Sequence, residues 1–196
     1  MATEQRPINN LRRRQILEQA ARLICRRGFE ATSMQDIADT CGLTKAGIYH
    51  YVETKQALLV AIMHYGMDLV EEEVLKQVID IADPVERLRA VMARKVRLVE
   101  SRKEVAIILN EHQTLTAAEK RALNARKKQY VTFLEATFRE AIERRQIRPV
   151  DPTVAAFSFL GVMLWTPNWY RTGGRISLPQ LIDGMADLFF NGLLLQ

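Results

Sequence analysis

TSMQDIADTCGLTKAGIYHYVETK, residues 32–55, is the stretch whose reading decides the fold. Counted from Met34, Ile37 and Cys41 fall on one face of a short helix, and Ala38 is small enough to let a second helix cross closely. Gly42 supplies a permissive backbone for a turn, and Leu43 plugs the core just beyond it. The segment that follows, 44–51, is long enough for two helical turns but spends few groups on a core. Ile48 and Tyr51 pin it from beneath, so Lys45, Ala46, Gly47, Tyr49 and His50 face outward. Two short helices at a tight turn, the second exposed and armed with donors, meet the steric needs of a helix-turn-helix reader of the DNA major groove. The bland reading of the same residues is a pair of small core helices without a partner.

Each outward group has a use against a duplex. Thr44 can cap the second helix, and Lys45 can donate to a guanine edge or a phosphate. Gly47 lets the backbone approach the groove. Tyr49 and His50 offer donors to phosphates and apolar faces to thymine methyls. Lys55 opens the next helix, where an ammonium and the positive end of the helix dipole both suit a phosphate. Thr32 and Ser33 serve the same purpose at the start of the first short helix. They stand three residues before Gln35 and Asp36, so either hydroxyl could form a capping box. Any one of these residues is ordinarily a cap or a solvated side chain; their convergence on one face carries the reading. Arg12, Arg13 and Arg14, with Arg6 upstream, read as a basic N-terminal arm that follows the DNA backbone.

Outward from this stretch the chain is helical from end to end. Ile16, Ala20, Leu23 and Ile24 keep a helical spacing that closes at Gly28. Leu58, Ile62, Tyr65 and Leu69 stripe a long helix that starts after Thr54 and is broken only at Asp83-Pro84. Leu88, Val91, Met92, Val96 and Val99 follow, with a stop at Ser101. VAIILN, 105–110, is apolar on every side and marks a short enclosed helix. A long helix spans about Thr116–Arg145, and RPVDP, 148–152, is a turn whose Asp can cap the helix beginning at Pro152. Pro167 ends or kinks that helix, TGG at 172–174 is a loop, and a last helix runs from Ser177 through Leu195. The fold class is therefore all-α: a helix-turn-helix head over residues 1–55 and a helical ligand-binding and dimerisation domain over 56–196.

Composition narrows the function classes. With 196 residues, 48% hydrophobic and 26% charged, the chain resembles an ordinary soluble globular protein. A net charge of +5 permits an anionic partner without demanding one. No apolar run approaches the ~20 residues that span a bilayer, and the N-terminus is charged where a signal peptide is apolar, so no membrane partner and a cytoplasmic location are expected. Cys25 and Cys41 sit in amphipathic helical patterns and read as small buried hydrophobes. Two cysteines and three histidines without paired spacing leave almost no room for a metal site. No nucleophile–base pair, carboxylate pair or Gly-rich phosphate loop points to an enzyme.

The stretch from Arg14 to Leu59, through the run ILEQAARLICRRGFEATSMQDIADTCGLTKAGIYHYVETKQALL at 16–59, resembles the DNA-binding domain of the tetracycline-repressor (TetR) family. The resemblance implies an all-helical homodimer in which a C-terminal ligand domain sets the spacing of two reading heads on a palindromic operator in double-stranded DNA. It implies DNA contacts by Lys45, Tyr49, His50 and Lys55. Tyr51, counted with the DNA-binding residues, stands where many relatives have phenylalanine, and its ring still plugs the core.

Behind the head, AAFSFLGVMLW (155–165) and LIDGMADLFFNGLLL (181–195) are apolar enough that one subunit would struggle to bury both. A two-fold four-helix bundle solves this, with Phe157, Leu160, Leu164, Leu181, Met185, Leu188 and Phe189 at the interface. A small-molecule effector requires an apolar cavity with a few polar groups. The residues chosen for it are Arg94 and Arg97, one turn apart, Glu111 and His112, Tyr130 and Phe133, and Trp165 and Asn168. WYRTGGR, 169–175, resembles the TetR branch that senses acyl-CoA thioesters, though that branch typically has proline where Thr172 stands. This resemblance implies a regulator of fatty-acid, sterol or aromatic-acid catabolism, with no further cofactor. Arg171 and Arg175, with Arg94 and Arg97, would then meet the CoA phosphates. The alternatives are a multidrug-type repressor of hydrophobic cations, with Glu111 and Glu100 as its carboxylates, and an interaction module whose helix-turn-helix contacts protein.

Overall fold

The computed structural model describes residues 2–109 and 115–191, with side chains from residue 10 onward. Its elements are α1 (Ala2–Arg27), α2 (Met34–Thr40), α3 (Lys45–Tyr49), α4 (Lys55–Glu73), α5 (Pro84–Ser101), α6 (Lys103–Ile108), α7 (Ala117–Glu143), α8 (Pro152–Leu164), α9 (Thr166–Trp169) and α10 (Leu178–Asn191), with a 3₁₀ turn at Leu75–Gln77. No strand occurs among the described residues, and the all-α expectation holds. None of the helices described is long and apolar enough to cross a membrane. The chain packs as two units: Met1–Asp68 with Glu104–Leu123, and Leu69–Lys103 with Asn124–Gln196. The first takes in α6 and most of α4 as well as the helix-turn-helix.

In the first unit, α1 ends where Gly28 adopts φ +84 and its N–H reaches the Ile24 carbonyl at 2.8 Å. Ile16, Leu17, Ala20, Ala21, Leu23 and Ile24 are buried along one face of α1. Contrary to the expectation of an arm, the arginine run 12–14 lies within this helix. Arg12 turns back and donates to the Cys41 carbonyl at 2.8 Å, satisfying an end-of-helix acceptor on α2. Cys41 is buried as expected, but Cys25 is exposed. Its Sγ lies 3.5 Å from the Glu104 carbonyl oxygen. At Gly66 of α4, an added Cβ would stand 3.2 Å from Val105 Cγ1 and 3.4 Å from Leu109 Cδ2, so this glycine lets α6 settle directly on the α4 backbone.

In the second unit α5 packs against α8, α9 and α10. Asp83 caps α5 by accepting the Glu86 N–H at 2.9 Å, with Pro84 at the first position. This bond, the largest of several, holds the Asp83 carboxyl below the ordinary value. Asp151 caps α8 in the same way, accepting from Thr153 and Val154. Phe138, Phe159, Phe189 and Phe190 form an aromatic cluster, with Phe159 and Phe189 5.1 Å apart. Arg87 bridges to Glu140 at 2.7 Å.

Helix α4 stops at Glu73, short of the expected Asp83-Pro84. Three successive acids, Glu71, Glu72 and Glu73, oppose the negative end of the helix dipole there, and the following turn buries Val74 and Val78. The expected end of the last helix at Leu195 lies outside the described residues.

Candidate nucleic-acid interface and effector region

The helix-turn-helix is built as its spacing requires. Ile37 and Ala38 are wholly buried, and Ala38 is the small crossing residue. Gly42 takes φ +63, and the Leu43 N–H closes the turn on the Ala38 carbonyl at 2.9 Å. Thr44 caps α3, its Oγ1 accepting the Gly47 N–H at 3.0 Å. Ile48 is fully buried, and the second plug is Val52, with Tyr51 only half-buried. The sequence reading missed Val52, although it lies four residues beyond Ile48 and donates its N–H to the Ile48 carbonyl.

Thr44, Lys45, Ala46, Tyr49 and His50 are exposed together on α3 and its two ends, Tyr49 at 43%. His50 and Tyr51 meet edge to face at 5.5 Å, which steadies both rings at the end of the helix. Gly47 is half-buried. A Cβ there would stand 3.2 Å from Thr44 Oγ1 and 3.7 Å from Leu43 Cβ, so the missing side chain leaves room for the cap of α3.

Three other expected contacts are placed differently. Thr32 is buried, and its hydroxyl donates to the Gly28 carbonyl at 2.8 Å, so it presents no donor to a phosphate. Ser33 is the N-cap of α2 in a reciprocal box with Asp36. The Asp36 carboxyl sits at the helix start and is held below its ordinary value chiefly by the Ser33 hydroxyl, so an anion is already there. Lys55 donates to the Phe29 carbonyl at 2.9 Å and lies 4.4 Å from the Phe29 ring centroid, binding the α1–α2 turn to the start of α4.

The effector residues of the second unit do not form one group. Arg94 and Arg97 are exposed and line an open groove of about 690 Å³ with Glu72, Glu73 and Glu100. Glu100 also accepts from the Thr172 hydroxyl at 2.7 Å. Trp165 is 65% exposed, and Asn168 donates to its carbonyl at 3.2 Å, at the α8–α9 junction. Tyr130 is buried on α7 and Phe133 half-buried. Glu111 and His112 lie outside the described residues. In WYRTGGR, Gly173 takes φ +77, and a Cβ on Gly174 would stand 2.9 Å from the Arg171 carbonyl oxygen; both positions demand glycine.

The sequence reading passed over Lys95. It is 4% exposed on α5, its Nζ 5.9 Å from the Tyr130 ring centroid. Burial, and then the neighbouring Lys127, pull its pKa down to about 8. The signal was present, because Leu88, Val91, Met92, Lys95, Val96 and Val99 share one helical stripe.

The interface residues divide as well. Leu160, Leu181 and Met185 turn inward and are buried within their own unit, while Leu164 and Phe189 are half-buried. Phe157 and Leu188 face out, at 57% and 82% exposure. On α8 and just beyond it, Val154, Phe157, Val162 and Trp165 form one uncovered stripe at helical spacing. Gly161 on the same face and Gly184 on α10 have open space where a Cβ would project.

Residues 16–62 match the family model for bacterial regulatory proteins of the tetR family, and residues 81–193 match the tetracyclin repressor-like C-terminal domain. The HTH-type transcriptional repressor KstR2 of Mycobacterium tuberculosis is 26% identical over 187 residues, 94% of each chain. The crystal structure of apo AibR superposes with a TM-score of 0.86 at 54% identity, covering 90% of this chain and 97% of that one. AibR in complex with isovaleryl coenzyme A and operator DNA superposes at 0.83 with 56% identity and the same coverage. A reading head assembled around Ile48 and a C-terminal domain matched over most of its length lead to one conclusion: the chain belongs to the TetR family of bacterial regulatory proteins.

Proposed function

We propose that the protein is a cytoplasmic transcriptional repressor that grips a palindromic operator as a homodimer and lets go when an acyl-CoA thioester binds its C-terminal domain. The observation that carries this reading is the similarity, 56% over nine-tenths of the chain, to AibR, whose structure holds both isovaleryl coenzyme A and operator DNA. The exposed donors of α3 supply the DNA-facing chemistry, with Lys45, Tyr49 and His50 as the principal contacts. The uncovered stripe of α8 and the exposed Leu188 of α10 supply the face for a second subunit. The effector acts only through its different affinity for the DNA-binding and released states. The role is binding and release, with no reaction catalysed.

The multidrug-type alternative needs buried carboxylates to hold a hydrophobic cation. Among the described residues of the second unit the buried charge is a cation, Lys95, which disfavours such a ligand.

The test is a fluorescence-anisotropy titration on an operator selected from random duplexes. Isovaleryl-CoA is expected to release the protein from this duplex at concentrations where free CoA does not. Failure to select any duplex would sink the DNA reading, and selection of a duplex that no acyl-CoA releases would sink the effector reading.

A further inference from the structure

We propose that Lys95 and Tyr130, on α5 and α7 of the second unit, form the polar anchor of the effector site and grip an oxyanion of the effector, a phosphate or a carboxylate. This deepens the effector reading above and rests on it for the identity of the molecule that carries the anion.

In the core of this unit one hydroxyl has no hydrogen bond, and one ammonium has only an aromatic ring beside it. The Tyr130 hydroxyl is buried and makes no hydrogen bond. Lys95 is 4% exposed; its ammonium lies over the Tyr130 ring, 5.9 Å from the centroid, and makes no hydrogen bond or ion pair among the described residues. Native proteins almost always satisfy such groups, and an uncompensated buried charge is among the most destabilising features a core can hold. Here the neighbouring charge is of the same sign, since Lys127 sits close enough to depress the affinity of Lys95 for its proton. Lys127 is itself made less basic by burial. The charge beside Lys95 is thus positive, and both the Lys95 ammonium and the Tyr130 hydroxyl can donate. An incoming oxyanion would accept from the ammonium and the hydroxyl together, cancel the repulsion between the lysines, and relieve the burial penalty of both groups.

The pair also has the right chemistry for a switch. A core carrying this unpaired charge is destabilised when empty and stabilised when filled, so a ligand that completes it has a large differential affinity for whichever arrangement of α5 and α7 holds it. A purely structural lysine would instead show a carboxylate or carbonyl within reach. Lys95 makes no hydrogen bond or ion pair to either among the described residues.

The experiment is a thermal-unfolding series on the full chain in an anion-poor buffer, with inorganic phosphate, acetate or chloride added at matched ionic strength. In the unsubstituted protein, phosphate or acetate is expected to raise Tm saturably and chloride is not. The larger of the two shifts identifies the anion as phosphoryl or carboxylate. Lys95→Met is expected to raise the ligand-free Tm and abolish the anion response. Tyr130→Phe, which removes only the unpartnered hydroxyl, is expected to keep the ligand-free Tm and weaken half-saturation about tenfold. A wild-type response no different from chloride, or a Lys95→Met response equal to wild type, overturns the proposal. Should Lys95→Met not fold, a Tyr130→Phe response equal to wild type overturns it alone. The failure of the anchor and of the effector reading are separable. If isovaleryl-CoA releases operator equally from wild type and Lys95→Met, the anchor falls and the reading stands. If isovaleryl-CoA releases neither, while phosphate or acetate still protects through Lys95, the reading falls and the anchor stands.

Discussion

Replacing Leu188 by glutamate isolates the subunit interface from the fold. Leu188 is 82% exposed on α10, so it contributes almost nothing to the packing of its own chain. Leucine and glutamate have similar helix propensities, which leaves α10 itself undisturbed. In a two-fold dimer the same side chain appears twice. Complete burial of a leucine side chain is worth about 1.5–3 kcal/mol relative to exposure, so losing two removes roughly 3–6 kcal/mol. Two glutamates buried against an apolar partner surface add a desolvation penalty on top. The dimer dissociation constant should therefore rise by at least about a hundredfold and by as much as ten-thousandfold. Sedimentation velocity across nanomolar to micromolar concentrations reads this directly, with far-ultraviolet circular dichroism as the control for fold. Operator affinity should fall in parallel, because a single head engages only one half-site. An unchanged sedimentation profile would refute the placement of the interface on this face. Loss of helical signal in the variant at low temperature would refute the premise that Leu188 lies outside the subunit core.

Further predictions follow from individual side chains. Lys45→Ala should weaken operator binding by ~1–3 kcal/mol if Lys45 reads a base edge, with the thermal unfolding of the head unchanged; an unaltered anisotropy titration would remove Lys45 from the interface. Binding should also weaken steeply with added salt, as phosphate neutralisation requires, and a flat salt dependence would favour a protein partner for α3. Lys95 has a folded pKa of about 8 against 10.5 for the free side chain, so the unfolded chain binds the extra proton between those values. The resulting penalty is complete below about pH 8 and gone above 10.5, and stability measured against Lys95→Met should rise by about 2 kcal/mol between pH 7.5 and 10. A constant difference in urea unfolding across that range would show that Lys95 is not a buried cation. Asp151→Ala removes an acceptor for two backbone N–H groups at the start of α8 and should cost about 1 kcal/mol in chemical denaturation, with a negligible change counting against the cap.

Local chemistry was legible residue by residue. Asp83-Pro84 and Asp151-Pro152 announced two helix starts, Gly28 and Gly42 announced two turns, and Ile48 announced an exposed helix pinned from below. These features depend on backbone conformation and on hydrogen bonds a few residues long, so a linear string is enough to specify them. The all-helical class and the outward face of α3 follow from the same short-range rules.

What the string did not settle was which of several chemically equivalent partners each side chain would choose. Thr32 and Ser33 are interchangeable as caps on paper, yet packing buries one and leaves the other with Asp36. Lys55 reads as a phosphate ligand until the α1–α2 turn brings the Phe29 carbonyl within 2.9 Å. On α8 and α10, apolar residues occur on every side, so periodicity cannot choose a phase; only packing against α5 turns Leu160 and Leu181 inward and leaves Phe157 and Leu188 out. Lys95 belongs to the same class. Its charge marks it for solvent in a linear reading, but the helix carries it into an apolar stripe, where its environment is set by residues more than thirty positions away. The sequence by itself determined the helices, their caps and the reading head, because those are local; the tertiary structure alone decided which charges are buried and which apolar faces are left uncovered, because burial is a property of distant segments brought together.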